Sequence, residues 1–121
     1  MKYALSNFIK GLPILLAFLS FHTSSAQFVP QNEVEEQAAK LVQAYQVEVG
    51  MTVEQASAVY EKIVVVIAEE NAIRNSTTTE EQKKKSLMEI SKEETEYMGT
   101  ILDSKQFKEY KKMKKTLQPL Y

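Results

Sequence analysis

The stretch from Gly50 to Asn75 constrains the fold most, because it joins a clear helix start to the most continuous apolar surface in the chain. Thr52 is a good N-cap residue, Gln55 three positions later reaches back to the cap's backbone N–H, and Met51 and Ala56 flank them as a hydrophobic staple. Met51-Thr52-Val53-Glu54-Gln55 is therefore a capping box. Behind it Ala56, Val59, Tyr60, Ile63, Val64, Ile67 and Ile73 recur at helical spacing, and Val65 and Val66 widen the stripe until little of the middle turn is polar. A stripe that wide predicts contact with several neighbours. The β-branched run Ile63 to Ile67 would also suit a buried strand. The flanks Glu54 to Glu61 and Ala68 to Ala72, however, keep the 3.6-residue period without Gly or Pro, so the spacing predicts a helix over 53–74.

The first residues carry an address. Lys2 and Lys10 precede an apolar run from Gly11 to Phe21, and Ser24-Ser25-Ala26 stands just before Gln27. The run is shorter than the roughly 20 residues a membrane-spanning helix needs, and the small residues Ser24 and Ala26 suit a signal peptidase. The pattern predicts a secretory signal peptide over 1–26, cleaved after Ala26, and hence a soluble exported protein, periplasmic or secreted. The chain has no Cys, which excludes both lipid anchoring at a cysteine and disulfides. The mature chain from Gln27 has 13 basic residues against 16 acidic ones, a net charge of −3 that argues against nucleic acid as a partner. One small domain over 33–121 fits that length, stabilised by helix packing alone, and such cores are often completed by forming a homodimer.

After an extended lead over 27–32, Asn32 caps a helix over 33–49 whose first turn holds Glu33, Glu35 and Glu36, acids that suit the positive end of the helix dipole. Val34, Ala38, Leu41, Val42, Tyr45 and Val49 form its apolar face. Gly50 ends it in a left-handed conformation, and the short link to Thr52 folds the first two helices into an αα-hairpin. The polar break Asn75-Ser76-Thr77-Thr78-Thr79 divides the molecule into two halves. A third helix follows over 80–98, with Leu87, Ile90, Tyr97, Met98 and Ile101 on its apolar stripe and Gly99 closing or bending it. Glu94 lies on that stripe, standing at its edge or pairing with a nearby lysine on one reading, and a buried carboxylate with a raised pKa on the other. Asp103 and Gln106 form a second capping box, Leu102-Asp103-Ser104-Lys105-Gln106, opening a helix over 103–117 that Pro119 stops. The fold class is all-α, four helices in two antiparallel αα-hairpins.

Chemistry is sparse. The only histidine, His22, lies in the leader, so the mature chain has neither His nor Cys, and it is read as a non-enzyme with no metal and no cofactor. Lys105, Lys108, Lys111, Lys112 and Lys115, with Lys114, share the last helix with Phe107, Tyr110, Met113 and Leu117. Several of these lysines complement the helix dipole. As a functional surface the segment is a candidate basic face for acidic stretches of an unfolded or partner protein, or for weak contact with an anionic membrane surface.

The paired boxes bring in a resemblance. Met51-Thr52-Val53-Glu54-Gln55 and Leu102-Asp103-Ser104-Lys105-Gln106, in a small exported Cys-free helical chain, resemble the repeated Leu-Thr-x-x-Gln signature of the Spy/CpxP family of envelope chaperones and stress regulators. Met stands for Leu in the first box and Asp for Thr in the second. The resemblance implies a helical-hairpin fold, often a dimeric cradle, that binds unfolded clients without ATP. Met51, Thr52, Gln55, Leu102, Asp103 and Gln106 transfer as structural caps; metal sensing does not transfer, because its histidines are missing. The expected function is an ATP-independent holdase or envelope-stress accessory. The alternatives are a structural protein with one specific partner and a membrane-surface helical protein.

Overall fold

The computed structural model describes residues 28–120; the signal peptide expected over 1–26 lies outside the described residues. Among the described residues there are four α-helices: α1 (Glu33–Tyr45), α2 (Val53–Arg74), α3 (Glu80–Ile101) and α4 (Ser104–Leu117). Each starts where a side chain replaces the hydrogen bonds that the first turn lacks. Asn32 accepts from the Glu35 N–H, Thr79 from Gln82, and Thr52 and Asp103 head complete capping boxes. The β-branched run of α2 is helical, as the flanking period requires.

The first helix does not run to Val49 as a regular α-helix. After Tyr45 it widens into a π-turn over Gln46–Gly50, closed by the Met51 N–H on the Gln46 carbonyl at 3.2 Å. The turn sets Val49 in the core, and Gly50 then reverses the chain at φ +76°, the left-handed conformation its position predicts.

Helix α2 is the centre of the molecule. It packs along α1 on one side and α3 on the other, burying Ala56, Val59, Ile63 and Val66. The polar break at 75–79 therefore does not divide the chain into halves. It is a turn closed by the Ser76 hydroxyl on the Ile73 carbonyl at 2.6 Å and by Lys83 Nζ on the Arg74 carbonyl at 3.2 Å, so α3 returns alongside α2. Helix α4 crosses back over the π-turn, α1 and α3. It delivers the buried Tyr110 to Tyr45, the two rings 5.2 Å apart at a 50° tilt. Tyr45, Tyr110, Ile63, Met98, Val42 and Val59 are the largest apolar side chains almost fully removed from water, each contributing about 1.5–3 kcal/mol.

The third helix also outruns its expected end. It continues through Gly99 to Ile101, so Gly99 neither closes nor breaks it. The Phe107 ring of the following helix α4 covers this position, 3.5 Å from where a Cβ would stand.

Candidate functional site

The two capping boxes, 51 residues apart in sequence, meet side chain to side chain. Gln55 Nε2 donates to Gln106 Oε1 and Gln106 Nε2 donates to Gln55 Oε1, both at 2.9 Å, a reciprocal amide pair. Each Oε1 also accepts the backbone N–H of its own cap, Thr52 at 2.9 Å and Asp103 at 3.0 Å. Each Nε2 spends its second hydrogen on the segment that leads into the other box: Gln55 on the Ile101 carbonyl at 3.2 Å, Gln106 on the Gly50 carbonyl at 3.0 Å. The pattern is locally two-fold symmetric, and Met51 and Leu102 are buried beneath it at matching positions. Thr52 and Asp103 are exposed and act only as caps, accepting the Gln55 and Gln106 N–H groups at 3.1 and 2.8 Å. The expected box residues are all brought together. Their pairing depends on Gln, because Glu at the same place caps a helix equally well but has no amide hydrogens to donate.

Beneath α4 lies a second polar assembly. Glu94 on α3 is 1 % exposed and accepts from three groups: the Tyr110 hydroxyl, Gln118 Nε2 at 2.8 Å and Lys114 Nζ at 3.1 Å. Lys114 also donates to the Ser91 carbonyl and to Thr95 Oγ1, both at 2.8 Å, using all three ammonium hydrogens. Tyr45 closes the network by donating to Gln118 Oε1 at 2.5 Å. Among the described residues no buried side-chain nitrogen or oxygen lacks a partner. Burial, reinforced by the nearby Glu94 carboxylate, pushes both Tyr45 and Tyr110 far above the ordinary phenol range. Glu70 on α2 is also raised, by burial first, with Arg74 pulling it back.

Of the two readings of Glu94, the structure shows a carboxylate that is both buried and lysine-paired. Lys114, Tyr45 and Tyr110 look in sequence like a solvated lysine and two core aromatics, and Gln118 looks like the last residue before a helix-stopping proline. The one available signal was an acid placed on an apolar stripe.

The lysines of α4 separate into two groups. Lys114 turns inward. Lys105, Lys108, Lys112 and Lys115 follow one another at three- and four-residue steps on the exposed face, and none forms an ion pair with another described residue. Lys111, also exposed, lies over the Phe107 ring with Nζ 4.7 Å from its centroid. Among the described residues no group of three or more His, Cys, Asp or Glu side chains could hold a metal ion, and no helix is long and apolar enough to cross a membrane. The described residues define a small all-α fold with a locally symmetric pair of capping boxes, a buried ionic network and one basic helix face. No protein-family model, no curated protein and no solved structure matches the chain.

Proposed function

We propose that this is an exported, non-catalytic holdase or envelope-stress accessory that binds unfolded polypeptide without ATP, in the manner of the Spy/CpxP family its boxes resemble. The observation that carries the reading is the reciprocal pairing of Gln55 and Gln106. The two copies of the motif act as one structural unit, which supports taking them as a repeated signature rather than as two unrelated helix starts. A holdase lowers the concentration of free unfolded chain by mass action and needs no reactive group. Exposed Val47, Val53, Val65 and Met88 supply apolar contacts, and the unpaired lysines of α4 attract acidic stretches of the client.

Charge reversal tests the reading. The triple variant Lys108→Glu, Lys112→Glu, Lys115→Glu should bind a labelled unfolded acidic client about tenfold more weakly at low salt, with the difference fading near 1 M salt, where screening acts over about 3 Å. Equal binding at both salt concentrations would remove α4 from the mechanism.

A second reading has one observation of its own. Ala58, Val65, Ala68 and Ala72 stand at heptad-like steps along the outward face of α2, half-exposed or exposed. Such a seam of small apolar residues suits one helical partner at close range. A specific partner predicts a stoichiometric complex with a single protein, whereas a holdase binds several unrelated unfolded chains.

A further inference from the structure

Helix α4 is docked more by polar ties than by apolar burial. Of its 14 residues only Tyr110 is buried, while Phe107, Met113 and Leu117 are half-buried. By contrast α1 buries Ala38, Ala39, Val42 and Tyr45, and α2 buries Ala56, Val59, Ile63 and Val66. The polar ties of α4 fall into two groups. Near its start Gln106 pairs with Gln55, beside Leu102 and Asp103, the two extended residues that join α4 to α3. Further along, Tyr110, Lys114 and Gln118 all donate to Glu94, and Lys114 also reaches Ser91 and Thr95. The Glu94–Lys114 pair adds little net hold, because docking α4 takes both charges out of water and undocking returns both together. A helix with few buried apolar contacts belongs to the low end of local stability.

We propose that α4 is a latched cover, which swings away as one unit about its paired-box end at a lower free energy than the rest of the fold unfolds, and that the bed it uncovers receives a client segment. Lifting α4 takes the Tyr110 ring off Tyr45 and opens Leu41, Val66 and Ile67, which share a cleft with Leu117. The face that α4 lays on this bed carries Phe107, Tyr110, Met113 and Leu117 at three- and four-residue steps. The occupant that replaces it is therefore an amphipathic client segment with aromatic and aliphatic side chains on one face. Such a segment binds only the open form, so its apparent affinity falls with the fraction of chains that are open. The inference deepens the holdase reading and rests on it, by adding the client surface and the motion that exposes it.

Native-state hydrogen exchange of the chain from Gln27 onward reads the opening amide by amide. The amides of 108–117 should exchange at least about tenfold faster than the slowest of α2, as one group whose shared denaturant dependence is smaller than that of global unfolding. Exchange of 108–117 only through global unfolding, or one amide at a time without a shared opening, would overturn the cover. A second measurement reads the bed. Lys114→Met leaves Glu94 without its cation only while α4 is docked, so it favours the open form, and circular dichroism checks that the variant is helical. By fluorescence anisotropy this variant should bind a labelled peptide of residues 104–118 about tenfold more tightly than the unaltered chain does. The same peptide carrying Tyr110→Ser and Met113→Ser should show little gain. Equal affinity of the two proteins, or equal gain for both peptides, would also overturn the cover. If 108–117 open together and the peptide binds but no unfolded client is protected from aggregation, the cover stands and the holdase reading falls. If clients are protected while 108–117 open only globally, the holdase reading stands and the cover falls.

Discussion

Gln55 and Gln106 each use both sides of one amide to close a helix cap and to reach the other helix, so truncating either breaks bonds in both places. Gln55→Ala or Gln106→Ala should cost about 1–3 kcal/mol in denaturant unfolding, because the partner amide and two backbone groups lose bonds. The double variant should cost less than the two single costs added together, with a coupling of about 0.5–3 kcal/mol. Strict additivity would mean that the boxes cap independently. Glu94 is the opposite kind of residue, saturated and out of water. Glu94→Ala strands Lys114, whose side chain is 13 % exposed, and should cost about 3–5 kcal/mol in the same measurement. The tyrosines beside it give the network a pH signature. Their folded pKa values lie above the free phenol value of 10.0, so the stabilisation is fully present below pH 10 and is lost as pH rises above it. The unfolded chain releases those protons first, and each tyrosine should remove about 1.4 kcal/mol of stability per pH unit above 10. Tyrosinate absorbance from Tyr45 and Tyr110 should therefore appear together with loss of helix by circular dichroism. Ionisation in a fully helical chain would contradict their burial.

Two glycines show what local pattern reveals about the helices and what it conceals. Gly50 stands between the end of one apolar period and the capping box of the next, which leaves a reversal as its only role, and its φ of +76° agrees. Gly99 looks the same in sequence, a glycine shortly before a box, yet it lies within α3, with Phe107 of the next helix packed over it. The two should respond oppositely to alanine. Gly50→Ala meets no atom within 4 Å but is forced into left-handed backbone, at a cost of about 1–2 kcal/mol. Gly99→Ala gains helix propensity of about 0.5–1 kcal/mol, and its Cβ rests at ordinary contact distance from Phe107. Thermal unfolding of both variants checks the signs. The π-turn was hidden for a related reason: Gln46 to Val49 continue the α-helical pattern, and only the placing of Val49 against the rest of the core distinguishes the wider turn.

For the whole molecule, the helix count, the all-α class and the central place of α2 were readable, because a stripe as wide as that of Val59 to Ile67 needs neighbours on more than one side. The arrangement of the halves was not. A polar break such as 75–79 suits a linker as well as a tight turn, and what makes it a turn is the packing of α3 along α2, a contact between distant residues. The buried network was hidden because its members come from α1, α3, α4 and the residue after α4. Charge is equally a property of the assembled chain: a net acidic protein carries its clearest basic surface on a single helix. That surface, the exposed valines and the paired boxes together make up the holdase reading, which is tested most directly by aggregation of two unrelated unfolded clients without ATP, across graded ratios of the chain from Gln27 onward. The account predicts suppression of both at near-stoichiometric ratio. A folded, helical sample that protects neither would contradict it and leave a specific interaction protein in its place.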